Sequence, residues 1–466
     1  MSNNISNQQM LDTMQGYIER VKDILPSLYD HTPLACINTY GCQQNVSDSE
    51  RIKGILEAMG YALTDDYREA DFVLFNTCAV RGHAEDRVFG NIGRTKQLKK
   101  DKGGVLVAVC GCMAQQEIIC DKVKKSYPYV DMLFGTHHIQ NIPEYIYRRL
   151  TGSGRIFDIS TDFNEVVEGL PIHRDGKIKG WLPIMHGCDN FCTYCFVPYV
   201  RGREKSRKPD DVLAEAKSMI DAGVKEIMLL GQNVNSYGKG PDEEINFAEL
   251  LRRINAIEGD FRIRFMTSHP KDCTVELLEA VRDCEKVERH LHLPFQSGSD
   301  RILKAMNRRY DSEGYLNLIK KAKELIPGVT FTSDIIVGFP GETYDDFKET
   351  LRVVKEVGFQ ALFTFIYSPR NGTPAAGMDD PVSREEKGVW FSELLAVQEE
   401  ISKKNYEAYV GTTHRVLCEE SVGEGRLSGK TSASVDIEFE GDESLIGRFL
   451  EVRVDKFTNL LEGTIV

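Results

Sequence analysis

Apolar residues near the start of the chain fall at Met10, Met14, Ile18, Val21 and Ile24. Steps of three and four place them on one helical face, so residues 8–30 are expected to form an amphipathic helix packed on a core. From Leu34 the rhythm changes. Short apolar runs at 34–38, 72–75, 105–109 and 130–134 end near Gly, Asn or Cys, and each leads into a helical pattern. Those helices are expected to start at Ser47-Asp48-Ser49-Glu50, a capping signal, to cover 84–97, to begin near Gln115, and to cover 141–150. Strand and helix alternating in this way predict a parallel sheet with right-handed crossovers.

Residues 151–181 mix Gly, Asp and short apolar pieces and read as a linker with a hairpin. The alternation then resumes. Strands are expected at 182–185, 226–230, 262–266, 290–293, 330–337 and 360–367, with helices at 210–222, 247–257, 274–285, 299–325 and 344–357. Six such units fit an open, partial (β/α)6 barrel better than a closed eight-stranded one. A long helical pattern over 383–408 follows. Short alternating segments at 415–418, 434–439, 449–454 and 463–466, separated by glycines, predict a small antiparallel β-barrel. The fold class is therefore α/β, divided as a helical extension 1–30, a sheet domain 31–150, a linker 151–181, a barrel with trailing helix 182–409, and a terminal β-barrel 410–466.

In a parallel α/β sheet every strand-to-helix loop lies on one edge, where ligands bind. Cys42, Cys78 and Cys112 occupy three such loops, each one strand–helix unit from the next. They are either unrelated loop thiols or ligands of one cofactor, and a [4Fe–4S] cluster with one open iron suits three thiolates. Cys112 is preferred to Cys110, which still belongs to the strand. A second group follows the strand at 182–185: Cys188, Cys192 and Cys195 lie within eight residues. Three thiolates again leave one iron of a cubane open. Zinc would favour paired Cys-x-x-Cys units with a fourth ligand nearby, and the next candidates are His269 and Cys273. The other cysteines, Cys36, Cys110, Cys120, Cys273, Cys284 and Cys418, read as core thiols.

The barrel strands end in Gly231-Gln232-Asn233, Thr267-Ser268-His269 and Gln296-Ser297-Gly298, and the fifth carries Asp334 before Gly338. Each could be turn chemistry alone; together they form a polar cup for a ligand. After the cysteine motif, residues 200–209 carry a net charge of +4, with Arg201, Arg203 and Arg207 as candidate phosphate contacts. Otherwise the run is a solvated loop. Arg308-Arg309 is a second, weaker basic candidate.

Composition changes the picture only in part. The 466 residues are 41% hydrophobic and 28% charged, as in soluble globular proteins. No apolar run approaches a membrane span and the first ten residues are polar, so a cytoplasmic protein without membrane association is expected. Twelve cysteines there suggest metal or redox chemistry before disulfides. A net charge of −13 excludes a globally basic nucleic-acid binder but not a local basic surface.

Long, dispersed stretches resemble the radical-SAM methylthiotransferase family, SAM being S-adenosylmethionine. They are Asn38-Thr39-Tyr40-Gly41-Cys42, Asn76-Thr77-Cys78-Ala79-Val80-Arg81, Gly111-Cys112-Met113-Ala114-Gln115, residues 187–199, Gly202-Arg203-Glu204-Lys205-Ser206-Arg207, residues 230–237, Thr267-Ser268-His269-Pro270 and Gly338-Phe339-Pro340-Gly341-Glu342-Thr343. The Asp189-Asn190-Phe191 filling and the Gln232–Tyr237 segment lean toward the branch acting on tRNA. The resemblance implies two [4Fe–4S] clusters, one on Cys42, Cys78 and Cys112 and one on Cys188, Cys192 and Cys195. The second would bind and cleave SAM to a 5′-deoxyadenosyl radical, with Tyr194, Gln232, Ser268, Gln296 and Asp334 near the cofactor. It implies a C-terminal TRAM barrel that helps hold RNA, although residues 413–466 carry a net −5. The implied reaction is methylthiolation at carbon 2 of the isopentenylated adenosine beside the anticodon, with an electron donor and a sulfur donor as partners. Threonylcarbamoyl-adenosine in tRNA or a ribosomal-protein aspartate are alternative substrates. A non-catalytic iron–sulfur RNA-binding protein is the alternative outside the class.

Overall fold

The computed structural model describes residues 6–78, 82–160, 166–240 and 243–466, so Ala79-Val80-Arg81 of the second matching stretch lie outside the described residues. Two compact units emerge. One comprises Met1–Asp175 with His186–Asp189 and Cys195–Lys205; the other comprises Gly176–Met185, Asn190–Tyr194 and Ser206–Val466.

The first unit is built on a six-stranded parallel sheet. Its strands are β1 (Leu34–Tyr40), β2 (Ala62–Leu63), β3 (Phe72–Thr77), β4 (Leu106–Gly111), β5 (Met132–Phe134) and β6 (Ile156–Asp158), in the order β2-β1-β3-β4-β5-β6. The strands are apolar at nearly every position because both faces are covered. Phe72, Leu74, Leu106 and Ala108 face one core, and Val73, Phe75, Val107 and Val109 face the other. The helix Asn7–Leu28 buries Met14, Ile18, Val21 and Leu25 in the first of these cores. The expected stripe is thus core packing, with Leu25 rather than Ile24 fully covered. The stretch expected as a linker supplies the edge strand β6 instead of a hairpin, pairing in parallel with β5.

Strand order creates the crevice. The helix Gln43–Ala58, after β1, packs on one face through Ile52, Ile55 and Leu56. The helix Gly82–Lys102, after β3, packs on the other through Val88, Phe89 and Ile92. Where successive crossovers leave opposite faces, a ligand crevice opens at the carboxyl edge. The helix after β1 begins earlier than its Ser-Asp-Ser-Glu signal suggests: it starts at Gln43, and residues 47–50 are buried inside it. Asn45 overrides the signal, because its Oδ1 accepts from the Cys42 backbone N–H at 3.4 Å.

The second unit holds six parallel strands at Lys179–Pro183, Glu226–Leu230, Arg262–Phe265, His290–His292, Thr330–Val337 and Ala361–Ile366. They pair as two three-stranded sheets bridged between Ile263 and Val287, around one core. This is the open barrel that the alternation predicts. One expected helix is broken in two, Asp300–Ala305 and Ser312–Leu325. Asn307 closes the first with a left-handed φ of 58°, and the Asp311 side chain caps the second by accepting from Gly314 N–H at 2.8 Å.

The C-terminal segment closes into a five-stranded barrel: Thr413–Gly423, Arg426–Lys430, Asp436–Glu440, Phe449–Phe457 and Leu461–Ile465. The expectation of an all-antiparallel barrel is corrected here. A ring of five strands cannot alternate direction throughout, and Asp436–Glu440 pairs in parallel with Leu461–Ile465. The missed strand, Arg426–Lys430, contains Gly429, whose position is crowded by the Leu417 backbone.

This barrel is fastened to the amino-terminal ends of the strands Lys179–Pro183, Glu226–Leu230 and Arg262–Phe265. Glu226 is buried and accepts from Arg262 Nε at 2.6 Å and Arg264 Nε at 2.8 Å. The same guanidiniums donate to the carbonyls of Lys430, Thr431 and Ser432. Burial alone would raise the Glu226 pKa, but the two arginines hold it below its ordinary value. Replacing Glu226 with alanine strands two buried cations, so Glu226→Ala should cost about 3–5 kcal/mol. Denaturant titration monitored on the C-terminal barrel reads it; an unchanged midpoint refutes the clamp.

Candidate active site

Three strand ends of the first unit are level. Tyr40 pairs with Thr77, and Thr77 with Gly111, so the next residues of β1, β3 and β4 emerge side by side at the carboxyl edge. Cys42, Cys78 and Cys112 follow directly. Gly41 permits the closeness: a Cβ there would stand 2.9 Å from the Cβ of Cys78. Gly111 turns the chain out of β4 with φ 91°, which L side chains rarely adopt.

Beneath the thiols lies a closed polar floor. Asn45 Nδ2 donates to Asn76 Oδ1 at 2.9 Å; Asn76 Nδ2 returns to Asn45 O at 2.8 Å and reaches Ser49 Oγ at 2.9 Å; Thr77 Oγ1 donates to Cys110 O at 2.7 Å. Arg201, only 4% exposed, donates from Nε to Cys112 Sγ at 3.1 Å and from Nη2 to Asp48 Oδ2 at 2.8 Å. The Cys42 thiol is held down at about 5. Its hydrogen bond with Cys78 is the main cause, aided by the Arg201 charge and by N–H groups of the helix start that Cys42 caps. Cys112 is raised by burial despite the Arg201 charge beside it, and the six cysteines read as core thiols are raised as well. All are buried, and burial pushes them up, Cys273 to about 12 and Cys418 to about 11. Cys110, two residues from Cys112, is raised well above its ordinary range by burial.

A lowered thiol at Cys42, a compensating cation on Cys112 and a level three-point array fit a cluster whose irons each take one sulfur. Among the described residues, no group of three or more His, Cys, Asp or Glu closes as one mononuclear ion requires.

In the motif after the first barrel strand, Cys188 and Cys192 are buried and Cys195 is half-buried. Within the second unit, the helix break delivers its residues to the motif. Asn307 Nδ2 donates to Phe191 O at 2.9 Å, Thr193 N–H donates to Met306 O at 3.1 Å, and Arg308 Nη1 donates to Cys192 Sγ at 3.5 Å. The strand ends then supply orphaned polar atoms. Among the described residues, Gln232 Oε1, Asn233 Oδ1 and Ser268 Oγ are buried without a hydrogen-bond partner. Buried polar groups are nearly always satisfied, so three orphans at one strand edge mark room for a polar ligand. Gln296 is buried and Asp334 lies 3.6 Å from His292 Nε2. Tyr194 packs edge-on against Phe339. Phe191, Thr267 and Gln296 adopt positive φ of 47°, 65° and 69°. Such strain persists where a site over-determines the backbone, and nothing in the residue types announces it.

The basic loop is corrected in part. Arg207 is buried, donating to Pro183 O at 2.6 Å and paired with Glu215 at 2.8 Å. Arg201 is committed to Asp48 and Cys112, so neither is open to a phosphate. Arg203 is 72% exposed and bound to Asp189 at 2.6 Å. Arg308, the weaker candidate, is buried against Cys192 and Pro294 O.

A brace at the same edge titrates. Glu342 accepts from the N–H groups of Gly338 and Phe339, and burial raises its pKa from 4.5 to about 7. The folded state therefore holds this proton more tightly than the unfolded chain, and stability falls as pH rises from about 4.5 to about 7. Glu342→Gln should flatten that part of the melting-temperature profile; a slope equal to the parent's refutes it.

Three family models match: "Uncharacterized protein family UPF0004" over residues 35–135, "Radical SAM superfamily" over 182–354 and "TRAM domain" over 407–466. A solved radical S-adenosylmethionine methyltransferase, TsrM from Kitasatospora setae, shares the fold at TM-score 0.55 and 12% identity, over 74% of this chain and 75% of that one. Fold and matches define a radical SAM enzyme with an appended TRAM barrel. A tRNA-2-methylthio-N(6)-dimethylallyladenosine synthase of Clostridium beijerinckii is 51% identical over 430 residues, 92% of this chain and 94% of that protein. One of Acetivibrio thermocellus is 47% identical over 464 residues, 98% and 95% of the two. The chain belongs to this tRNA-2-methylthio-N(6)-dimethylallyladenosine synthase family, and with it to enzymes using SAM and an iron–sulfur cluster.

Proposed function

We propose that the chain installs a methylthio group at carbon 2 of N(6)-dimethylallyladenosine beside the tRNA anticodon, using two [4Fe–4S] clusters. Cys188, Cys192 and Cys195 hold one; Cys42, Cys78 and Cys112 hold the other. The convergence of the second trio at three level strand ends around Arg201 carries this reading. Carbon 2 of adenine offers no acidic or electrophilic handle, and the bound SAM and clusters supply the one-electron and methyl-transfer chemistry it needs.

The chain's residues do the rest. Gln232, Asn233 and Ser268 offer their unpaired polar atoms to SAM, with Tyr194, Gln296 and Asp334 completing the cup. Arg308 and Arg201 each place a buried positive charge on a ligand sulfur, offsetting the negative charge that thiolates bring into a buried site. The adenosine reaches the site splayed from the anticodon loop, since a stacked base hides its reacting atom. The sheet domain runs past 31–150 to take in Ile156–Asp158, the radical SAM barrel begins at Lys179 rather than at 182 and runs to 409, and the TRAM barrel takes 410–466. An electron donor and a sulfur donor are required partners. Twelve free thiols suit the reducing cytoplasm, where tRNA resides. No helix among the described residues is long and apolar enough to cross a membrane.

The test is anaerobic reconstitution with SAM, reductant and isopentenylated tRNA, then digestion and mass spectrometry of the nucleosides. Gain of a methylthio group in place of hydrogen on the isopentenyladenosine is expected. Release of 5′-deoxyadenosine without that gain would move the reading to threonylcarbamoyl-adenosine or a ribosomal-protein aspartate.

A further inference from the structure

With Arg201, Arg207 and Arg308 committed internally, the basic run at 200–209 and Arg308-Arg309 hold fewer open cations than their sequences suggest, and a second basic surface bears on the phosphates. Exposed cations on several helices of this acidic protein are answered by neighbouring carboxylates, Arg148 by Glu144, Lys217 by Asp221, Arg253 by Glu249 and Arg352 by Glu356, while, among the described residues, Lys320 and Lys321 are not. The helix Gly82–Lys102, which follows the Cys78 loop, departs from that pattern. Over its length six Lys or Arg, all within 87–102, stand against Glu85, Asp86 and Asp101, a net +3 in a chain of net −13. Lys99 and Lys102 brace the sheet through Asp131 and Asp71. Arg87, Arg94, Lys96 and Lys100 are exposed and, among the described residues, have no carboxylate partner.

The turn of the helix arranges these four in two rows. At about 100° per residue, Arg87 and Arg94 line one side of the exposed face and Lys96 and Lys100 the other. Between the rows lie Gly90, Gly93, Gln97 and Asp101, the last two hydrogen-bonded at 2.7 Å. Arg87, Gly90, Asn91 and Arg94 line a shallow concavity along the arginine row. Neither glycine is required by packing: no described atom lies within 4 Å of a Cβ at either position. Glycine inside a helix destabilises it by about 1 kcal/mol relative to alanine, so these two bare positions lower stability with no packing reason for them. Close approach of another backbone accounts for them.

We infer that this helix face grips the phosphate backbone of the RNA substrate, a deepening of the reading under Proposed function that rests on it. The rows run about 20 Å along the helix axis, long enough to follow several phosphates. They begin at the end nearest the strand edge that carries Cys42, Cys78 and Cys112. An RNA backbone fits better than an acidic protein, because the exposed positions between the cations carry no apolar side chain for a protein to pack on, while phosphates need only the cations.

The test measures binding of an isopentenylated anticodon stem-loop RNA to the reconstituted full-length enzyme over a series of KCl concentrations. The quadruple variant Arg87→Gln, Arg94→Gln, Lys96→Gln, Lys100→Gln should bind at least about tenfold more weakly. Its salt dependence should flatten by about 0.7–0.9 in slope for each phosphate that the variant no longer neutralises. Iron content and RNA-free cleavage of SAM should match the parent. Gly90→Ala with Gly93→Ala should raise the melting temperature while weakening RNA binding. If the quadruple variant folds poorly, Arg94→Gln with Lys96→Gln against Arg94→Lys with Lys96→Arg decides the point; equal RNA affinity of the two pairs overturns the surface. Unchanged affinity and slope, with the parent binding RNA, overturns the surface alone. Unchanged RNA binding with weaker SAM cleavage driven by an acidic protein reductant assigns the face to that protein and overturns the RNA reading. A parent that binds no RNA overturns the proposed function itself.

Discussion

Cys188→Ala should reduce the formation of 5′-deoxyadenosine from SAM to background, a fall of about a thousandfold or more, about 4 kcal/mol of barrier. The reason lies in ligand number. Three thiolates leave one iron open for SAM, and losing one removes both the grip on the cluster and the geometry of the open position. The loop itself should survive. Cys188 contributes its backbone N–H to Gly202 O at 3.2 Å, and Asp189 is held by Arg203 at 2.6 Å; neither interaction uses the thiol. Near-parental stability therefore accompanies loss of chemistry. Product chromatography and an iron count measure the two sides. Continued 5′-deoxyadenosine formation at the parental rate would remove Cys188 from the ligand set.

Cys78→Ala should behave differently, keeping reductive cleavage of SAM while the methylthio nucleoside disappears. Cys78 belongs to the first unit, where its hydrogen bond is the main influence holding the Cys42 thiol low. Its removal should also lift the Cys42 pKa, which thiol alkylation against pH detects in the apoprotein. Cys110→Ala is the control: Cys110 is buried within β4, burial keeps it protonated, and both activities should persist. Equal loss of both activities from Cys78→Ala would refute separate roles for the two cysteine sets. Full methylthiolation by that variant would remove the second cluster from the mechanism.

The contrast between Cys78 and Cys110 shows how far local pattern reaches. Alternation along β4 predicts that Cys110 stays within the strand and Cys112 clears it, and the structure places both so. Strand periods are equally legible: Glu226–Leu230 and Thr330–Val337 lie where the apolar runs put them. The break at 306–311 is not legible. The apolar stripe runs on through it; the left-handed Asn307 and the Asp311 cap end and restart the helix, and the hydrogen bonds of Asn307 and Arg308 with the cysteine motif, 116 residues earlier, hold the break in place. The fifth strand of the terminal barrel escapes for a similar reason, since closing the ring depends on partners rather than on its own residues.

Charge shows the same division more sharply. The run at 200–209 and the helix at 87–102 look alike as strings of basic residues. Burial separates them: Arg201 is spent on Asp48, 153 residues away, whereas Arg87 and Arg94 face solvent. What the sequence by itself determined was periodicity, the order of elements, and the spacing that sets one cysteine per strand end and three in a single loop. These are local, because strand and helix periods and ligand spacing are properties of neighbouring residues. Tertiary structure alone decided the level register of β1, β3 and β4, the left-handed residues at the strand ends, and which cations face solvent. Each depends on packing between distant parts of the chain, and no short stretch encodes its own partner.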